Sequence, residues 1–377
     1  MPRTLRAFIL SALCLAVTSS PVWAQADANK AQIVGTVFDP NNAVVPNASI
    51  KIRNTATGLS RDLTTNEAGL YRAIALDPGP YLVEVSSGGF AAQKVEGLVL
   101  QVGQALTLNI TLSVQATSTT IEVGETLLSL DTAQQSVNVN QAAITSLPIN
   151  GRRFQDFATL TPTAQVDTAT RGQISFAGQR GIYSNIMLDG ADYNQPFFGG
   201  IRGGERSGTV ITVPQAAIQE FQVIPTGYTA EYGRSTGGIM NTITKSGTNG
   251  IHGEGFWQIR PRQASANNPI FLVQPSESLQ QYGGGIGGPI KKDRLFYFIA
   301  TEGQNANTPR QVVFAALGGI TPAADQRAAF DYFRRLEEPF KQTNRAVATT
   351  AKMDYSFANG DRLTFRYNFS DSVENNA

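Results

Sequence analysis

Between Lys352 and Ser370 the chain alternates apolar and polar residues on both sides of an Asn359-Gly360 pair. Met353, Tyr355 and Phe357 share one face, with Lys352, Asp354 and Ser356 on the other. Past the turn, Leu363, Phe365, Tyr367 and Phe369 resume the apolar face against Thr364, Arg366, Asn368 and Ser370. A period of two around an Asn-Gly turn predicts a β-hairpin with one apolar face. Such a hairpin fits a soluble sheet with one wet face, or a membrane wall with one face toward lipid.

The surroundings favour the wall. "EGFWQIR", "SLQQYGGGIGGPI" and "RLFYFIATE" read as further strands, giving about five near 251–261, 278–290, 294–302, 347–357 and 362–371. Connections at 291–293 and 358–361 are short, whereas 263–277 and 303–346 are long. Short turns at one end and long loops at the other mark a transmembrane β-barrel. The second long loop carries a helical stretch, "AADQRAAFDYFRRLEEPF", which can sit outside the membrane.

The N-terminus points the same way. Arg3 and Arg6 precede an apolar run from Ala7 to Val17, and Val22 and Ala24 supply the small residues of a cleavage site. Residues 1–24 therefore read as a secretory signal peptide, with 25–30 a short linker after it. Cys14, the single cysteine, lies inside the leader, and Leu13 before it is too bulky for a lipoprotein signal. Exported and lacking any later apolar run of helical membrane length, such a chain is expected to be periplasmic, secreted or an outer-membrane barrel.

Composition narrows the chemistry. A formal net charge of +1 gives no bulk attraction for nucleic acid. With no other cysteine and with His252 as the single histidine, a Cys/His zinc site is excluded and no cofactor is expected.

Residues 31–114 hold seven short strand candidates separated by Pro40-Asn41-Asn42, Asn66-Glu67-Ala68-Gly69 and Asp77-Pro78-Gly79-Pro80. That spacing predicts a small antiparallel β-sandwich. Residues 115–125 are a Thr/Ser-rich linker, and 126–246 mix short helices, strands and turns into an α+β unit. The whole is mainly β, ending in the first strands of a barrel over 247–377.

Two motifs suggest chemistry and then withdraw it. Gly233-Arg234-Ser235-Thr236-Gly237 matches G-x-S-x-G, but a nucleophile elbow leads into a helix. Here "GGIMNTITKSG" follows with strand character, so Ser235 is expected to be structural and the chain not an enzyme. Gly283 to Gly288 satisfies G-x-G-x-x-G, yet Pro289 and a Lys291-Lys292-Asp293 turn follow rather than the helix a dinucleotide phosphate needs. Asp189 and Asp192 flank a turn, where such residues usually bond nearby amides, with catalysis or calcium binding as the lesser alternative. Arg152-Arg153 would be an anion site or, more simply, a solvated pair.

"LPINGRRFQDFATLTP", "GQRGIYSNIMLDGADYN", "VPQAAIQEFQVIPTGYTAEYGRSTGGIMNTITKSGTNGIHGEGFW" and "QQYGGGIGGPIKKDRLFYF" closely resemble the Oar-like TonB-dependent receptors. Residues 31–114 are similar to the carboxypeptidase regulatory-like domain of that group. The resemblance implies that 126–246 is the plug of an outer-membrane barrel, with sandwich and plug on the periplasmic side. It implies energised uptake driven by TonB and its inner-membrane complex, with outer-membrane lipid around the barrel. The substrate is left open, a glycan or a peptide. "TTIEVGE" looks like the TonB box, with Thr120, Ile121, Glu122 and Val123 as its core; it also reads as an edge strand of the sandwich or as plain linker. A secreted or surface carbohydrate-binding protein, acting through the sandwich, is the alternative. Five strands fall short of the eight that a single-chain barrel needs, so the chain is expected to be part of a longer receptor or a truncated reading frame.

Overall fold

The computed structural model describes residues 29–114, 119–122, 135–147, 151–167, 173–195, 211–229, 232–264, 278–311, 314–337, 339–358 and 360–375. The leader expected over 1–24 and Val123 of the candidate TonB box lie outside them.

The first eight strands are β1 (Ala31–Phe38), β2 (Ser49–Asn54), β3 (Ser60–Thr64), β4 (Leu70–Leu76), β5 (Gly79–Ser86), β6 (Gln93–Leu100), β7 (Ala105–Thr107) and β8 (Ile110–Thr111). With β9 (Thr119–Glu122) they form two sheets, β4-β1-β7 with β8 also on β1, and β3-β2-β5-β6-β9. Alternate residues of most of these strands meet between them, among them Ile33, Val37, Ile50, Ile52, Val83, Val85, Val95 and Ile110. Burial of such side chains is worth roughly 1.5–3 kcal/mol each, which is what drives two half-apolar sheets face to face.

The sandwich is not wholly antiparallel, as the strand spacing had suggested. β7 and β8 run parallel to β1, and β9 runs parallel to β6. After β6 the chain crosses from one sheet to the other, so its next strands arrive pointing along β1 rather than against it. The crossing is tight at Gly35, where a Cβ would stand 1.9 Å from the Leu108 carbonyl oxygen.

The second unit is a mixed sheet, β10-β15-β16-β13-β14, made of β10 (Gln135–Val139), β13 (Ser184–Leu188), β14 (Ala191–Asp192), β15 (Ile218–Thr226) and β16 (Gly238–Thr244). A short helix α1 (Gln141–Ser146), capped by the Asn140 side chain, and a hairpin of β11 (Ala164–Asp167) and β12 (Gln173–Phe176) flank it. Every residue of β16 is buried, so the sheet is covered on both faces. Its core of Phe154, Phe157, Phe176, Phe221, Val223 and Met240 also includes Phe298 and Ala300 of the next unit.

That next unit is a five-stranded antiparallel meander: β17 (His252–Arg260), β18 (Ser278–Lys291), β19 (Leu295–Gln311), β20 (Pro339–Ser356) and β21 (Arg362–Asn375). The sheet is open, with β17 and β21 at its edges. Its two faces are inverted relative to a soluble sheet. On one face Gln281, Glu302, Gln304, Asn344, Thr350, Lys352 and Asp354 are buried, whereas Trp257, Ile259, Ile286, Ile299, Leu363, Phe365, Tyr367 and Phe369 are exposed. On the covered face Gly287 leaves room for the Phe298 ring, since a Cβ there would come within 2.6 Å of it.

β19 and β20 are 17 and 18 residues long, so the loop expected over 303–346 is shorter than the sequence suggested. Gly303 pairs with Val347 and the ladder continues to Gln311 and Pro339. Apolar alternation marks only the band of exposed apolar side chains. Beyond that band a strand needs backbone pairing and no apolar face, which is why its extension left no pattern. Helix α2 (Arg327–Arg335) sits within the connection between them.

Candidate functional site

The polar face of the wall is where this molecule concentrates charge. Asp189 stands at the turn between β13 and β14 with φ 46°. Its carboxylate accepts from the Thr244 amide at 2.8 Å and the Thr244 hydroxyl at 2.5 Å. It then reaches across to the wall, accepting from Arg366 at 2.7 Å and standing 3.6 Å from Lys352 Nζ. Lys352 also donates to the Thr244 carbonyl at 3.1 Å. Burial opposes the charge of Asp189, but the Lys352 and Arg366 cations and the Thr244 donors outweigh it and hold its pKa below the usual carboxylate range.

A second tie runs the other way, with the anion on the wall. Glu302 of β19 is fully buried and accepts from Arg152 Nη2 at 2.9 Å and from the Ala216 amide at 2.8 Å. The Arg152 guanidinium lies 3.7 Å above the Phe256 ring of β17. A third tie joins Lys245, just after β16, to Glu254 of β17 at 2.7 Å. Below these the sandwich is tied in: Asp77 pairs with Lys30 and with Arg362 of β21, which also binds Asp354 at 2.9 Å. Burial works against the Asp77 carboxylate, yet Arg362 and Lys30 bring its pKa down to about 2.

The Arg152-Arg153 pair is therefore not merely solvated: Arg152 is committed to Glu302, and Arg153 binds Asp156 at 2.7 Å. Asp192 does bond locally, accepting from the Asn194 amide at 2.8 Å, and pairs with Arg234. Asp189 does not; its partners lie far along the chain. Among the described residues no group of three His, Cys, Asp or Glu side chains is placed to hold a metal ion. Glu302, Lys352 and Arg366 were not singled out from the sequence. The signal was present, because a charge on the polar face of a strand whose apolar face is exposed must point at whatever covers the polar face.

Ser235 is bonded into its own turn. Its Oγ donates to the carbonyls of Tyr183 and Gly238 at 3.1 and 2.9 Å and takes the Gly238 amide at 3.1 Å. β16 follows it rather than a helix. His252 is exposed at the start of β17, with Thr248 Oγ1 and the Gly250 carbonyl as its partners. A fluorophosphonate probe is expected to leave Ser235 unmodified in folded protein; labelling at that residue would overturn the structural role. Gly283 to Gly288 lie inside β18, with no helix start to receive phosphate.

Three of the candidate TonB-box residues, Thr120, Ile121 and Glu122, fall in β9. That strand pairs with β6 from Gln93↔Thr119 to Glu96↔Glu122 and, among the described residues, ends its sheet with one backbone edge unpaired.

Comparison with known proteins adds a name to each end of this arrangement. A carboxypeptidase regulatory-like domain matches residues 32–113, and an outer membrane beta barrel domain matches residues 243–340. The chain is 28% identical over 293 residues to the TonB-dependent transporter Oar of Myxococcus xanthus, covering 72% of this chain and 26% of that protein. The chain thus spans about a quarter of the relative it matches. Among solved structures, the ferric enterobactin receptor of Pseudomonas aeruginosa aligns at 17% identity over 63% of this chain and 33% of its own, with a TM-score of 0.42. The siderophore receptor PirA of Acinetobacter baumannii aligns at 18% over 63% and 32%, with the same score. These are a transporter and two receptors, not enzymes. The chain is thus similar to a TonB-dependent transporter over most of its length and carries matches to a carboxypeptidase regulatory-like domain and an outer membrane beta barrel domain.

Proposed function

We propose that this chain supplies the sandwich, plug and leading wall strands of an outer-membrane receptor that takes up its substrate at the expense of TonB. The observation that carries the reading is the inverted wall: an exposed apolar face suited to lipid, and a polar face ion-paired to the sheet it encloses. A soluble sandwich-binding protein has no use for that inversion. Nor do Tyr71 and Tyr81 offer a sugar platform, since both are buried and donate to the carbonyls of Leu108 and Asp77.

TonB is the partner, and β9 is where it adds a strand. Backbone pairing along an open edge tolerates varied side chains, so Thr120, Ile121, Glu122 and Val123 recognise it through their main chain. Proline at Ile121 removes a donor and fixes φ. The purified periplasmic domain of TonB is expected to bind the Ile121→Pro chain at least tenfold more weakly than the parent. Equal binding, at equal levels of folded protein, would count against β9 as the contact.

A further inference from the structure

Two sets of contacts of different chemistry tie the sandwich to the rest of the molecule, and beside the first of them Asn29 abuts Gly190 and the Pro78 carbonyl accepts from Gln219. On the wall side Asp77 binds Arg362, the Ala56 carbonyl accepts from the Asn249 amide at 3.0 Å, and Gly58 abuts Asp293 in the β18–β19 turn. On the plug side the Val102 amide donates to Glu220 Oε1 of β15 at 2.8 Å. Asn138 of β10 donates to Gln101 at 3.0 Å, and Gly103 packs on the Gln222 amide.

Glu220 is 5% exposed, and no cation pairs with it among the described residues. Among the described residues the groups around it are neutral. Its own strand offers Gln222, which accepts from the Tyr232 hydroxyl at 3.2 Å. β16 sets Ile243 opposite it and Asn241 beside that, β10 brings Asn138, and the sandwich turn brings Gln101, Val102 and Gly103. Asp77 adjoins Pro78, whose carbonyl accepts from Gln219 at 3.4 Å, but its charge is taken up by Arg362 and Lys30.

We propose that the sandwich is a pH-responsive flap, hinged on the wall at Asp77 and Ala56 and clasped to the plug through the neutral carboxyl of Glu220. A neutral carboxyl can accept the Val102 amide while buried, whereas an ionised one without a cation is driven toward water. Burial pushes the Glu220 pKa up to about 7, against an ordinary value of 4.5. The closed state thus binds the proton more tightly than the open one. Its advantage is complete below the ordinary value, declines as pH rises from there, and is gone above about 7. Asp77, ionised throughout that window, keeps the hinge in place. The proposal stands on this interface alone, whether or not the chain transports anything.

Spin labels on the whole chain in detergent micelles test it, with Cys14 replaced by Ser so that the introduced cysteines are the only ones. One pair, at Val99 and Gln141, spans the clasp; a second, at Thr55 and Lys292, spans the hinge. Between pH 5 and pH 8.5 the open-to-closed ratio across the clasp is expected to rise, by up to about a hundredfold. The hinge distance should not change. Glu220→Gln keeps the acceptor and cannot ionise, so it should stay closed at both pH values. A clasp distance independent of pH in the parent chain would overturn the proposal, as would the same opening in Glu220→Gln.

Discussion

Replacing Asp189 by Ala is expected to loosen the plug from the wall by about 3–5 kcal/mol, the usual cost of stranding a buried charge whose partner is removed. Two cations lose their anion at once, Arg366 and Lys352, which are 15% and 7% exposed. Thr244 loses the acceptor for both its amide and its hydroxyl. Asp189→Asn should cost less, because an amide oxygen still accepts from the Thr244 amide, although its charge is gone. The readout is the urea midpoint of the folded chain in micelles, with protease cutting of residues 126–246 as a second measure. The depressed pKa of Asp189 also sets a pH dependence. A group whose folded pKa is lowered contributes fully above its ordinary value and loses that contribution as pH falls through the lowered one. Parent stability should therefore drop on acidification below about pH 4. Asp189→Ala should lack the share of that drop due to this group; an identical acid profile in both would remove Asp189 from the tie.

Most of the architecture was legible because burial writes a period into the chain. Leu363, Phe365, Tyr367 and Phe369 lie together on one side of the sheet, as the hairpin pattern required, and are exposed. Ser235 could be read as structural because β-branched residues after it favour a strand, and a strand cannot form a nucleophile elbow. Two things were not legible, for different physical reasons. The extension of β19 to Gln311 rests on backbone pairing among residues such as Gln304, Asn305 and Asn307, and hydrogen-bond ladders leave no hydrophobic period. The ties themselves depend on which polar residues meet across units nearly the length of the chain apart, as when Arg362 finds Asp77. Spacing along the sequence carries no information about such meetings. Asp189 was noticed for its turn, but its role comes from Arg366 on a hairpin read separately.

The opposite polarity of the second tie makes it the sharper test. Glu302 sits on the wall and its cation on the plug, so removing the carboxylate strands Arg152 above Phe256 and leaves the Ala216 amide without its acceptor. Glu302→Leu alone is expected to destabilise the chain by about 3–5 kcal/mol. Arg152→Met alone leaves a fully buried carboxylate facing only the Ala216 amide, and should be similarly costly. Together the two changes remove both charges and fill the space with apolar atoms of comparable size. A buried pair replaced in this way is often no less stable, so the double variant should recover most of the loss. It will not recover all of it. The Ala216 amide remains unpaired in either case, a penalty of about 1–3 kcal/mol. The measured quantity is the coupling, the double variant's loss minus the sum of the two single losses, from urea midpoints in the same micelles. With single losses summing to about 6–10 kcal/mol and a double loss of about 1–3, the non-additivity should be about 3 kcal/mol or more, with the double variant more stable than addition predicts. If the two single losses simply add, Arg152 and Glu302 do not hold plug and wall together, and the attachment would rest on the Asp189 and Lys245 ties and on apolar contacts through Phe298 and Ala300.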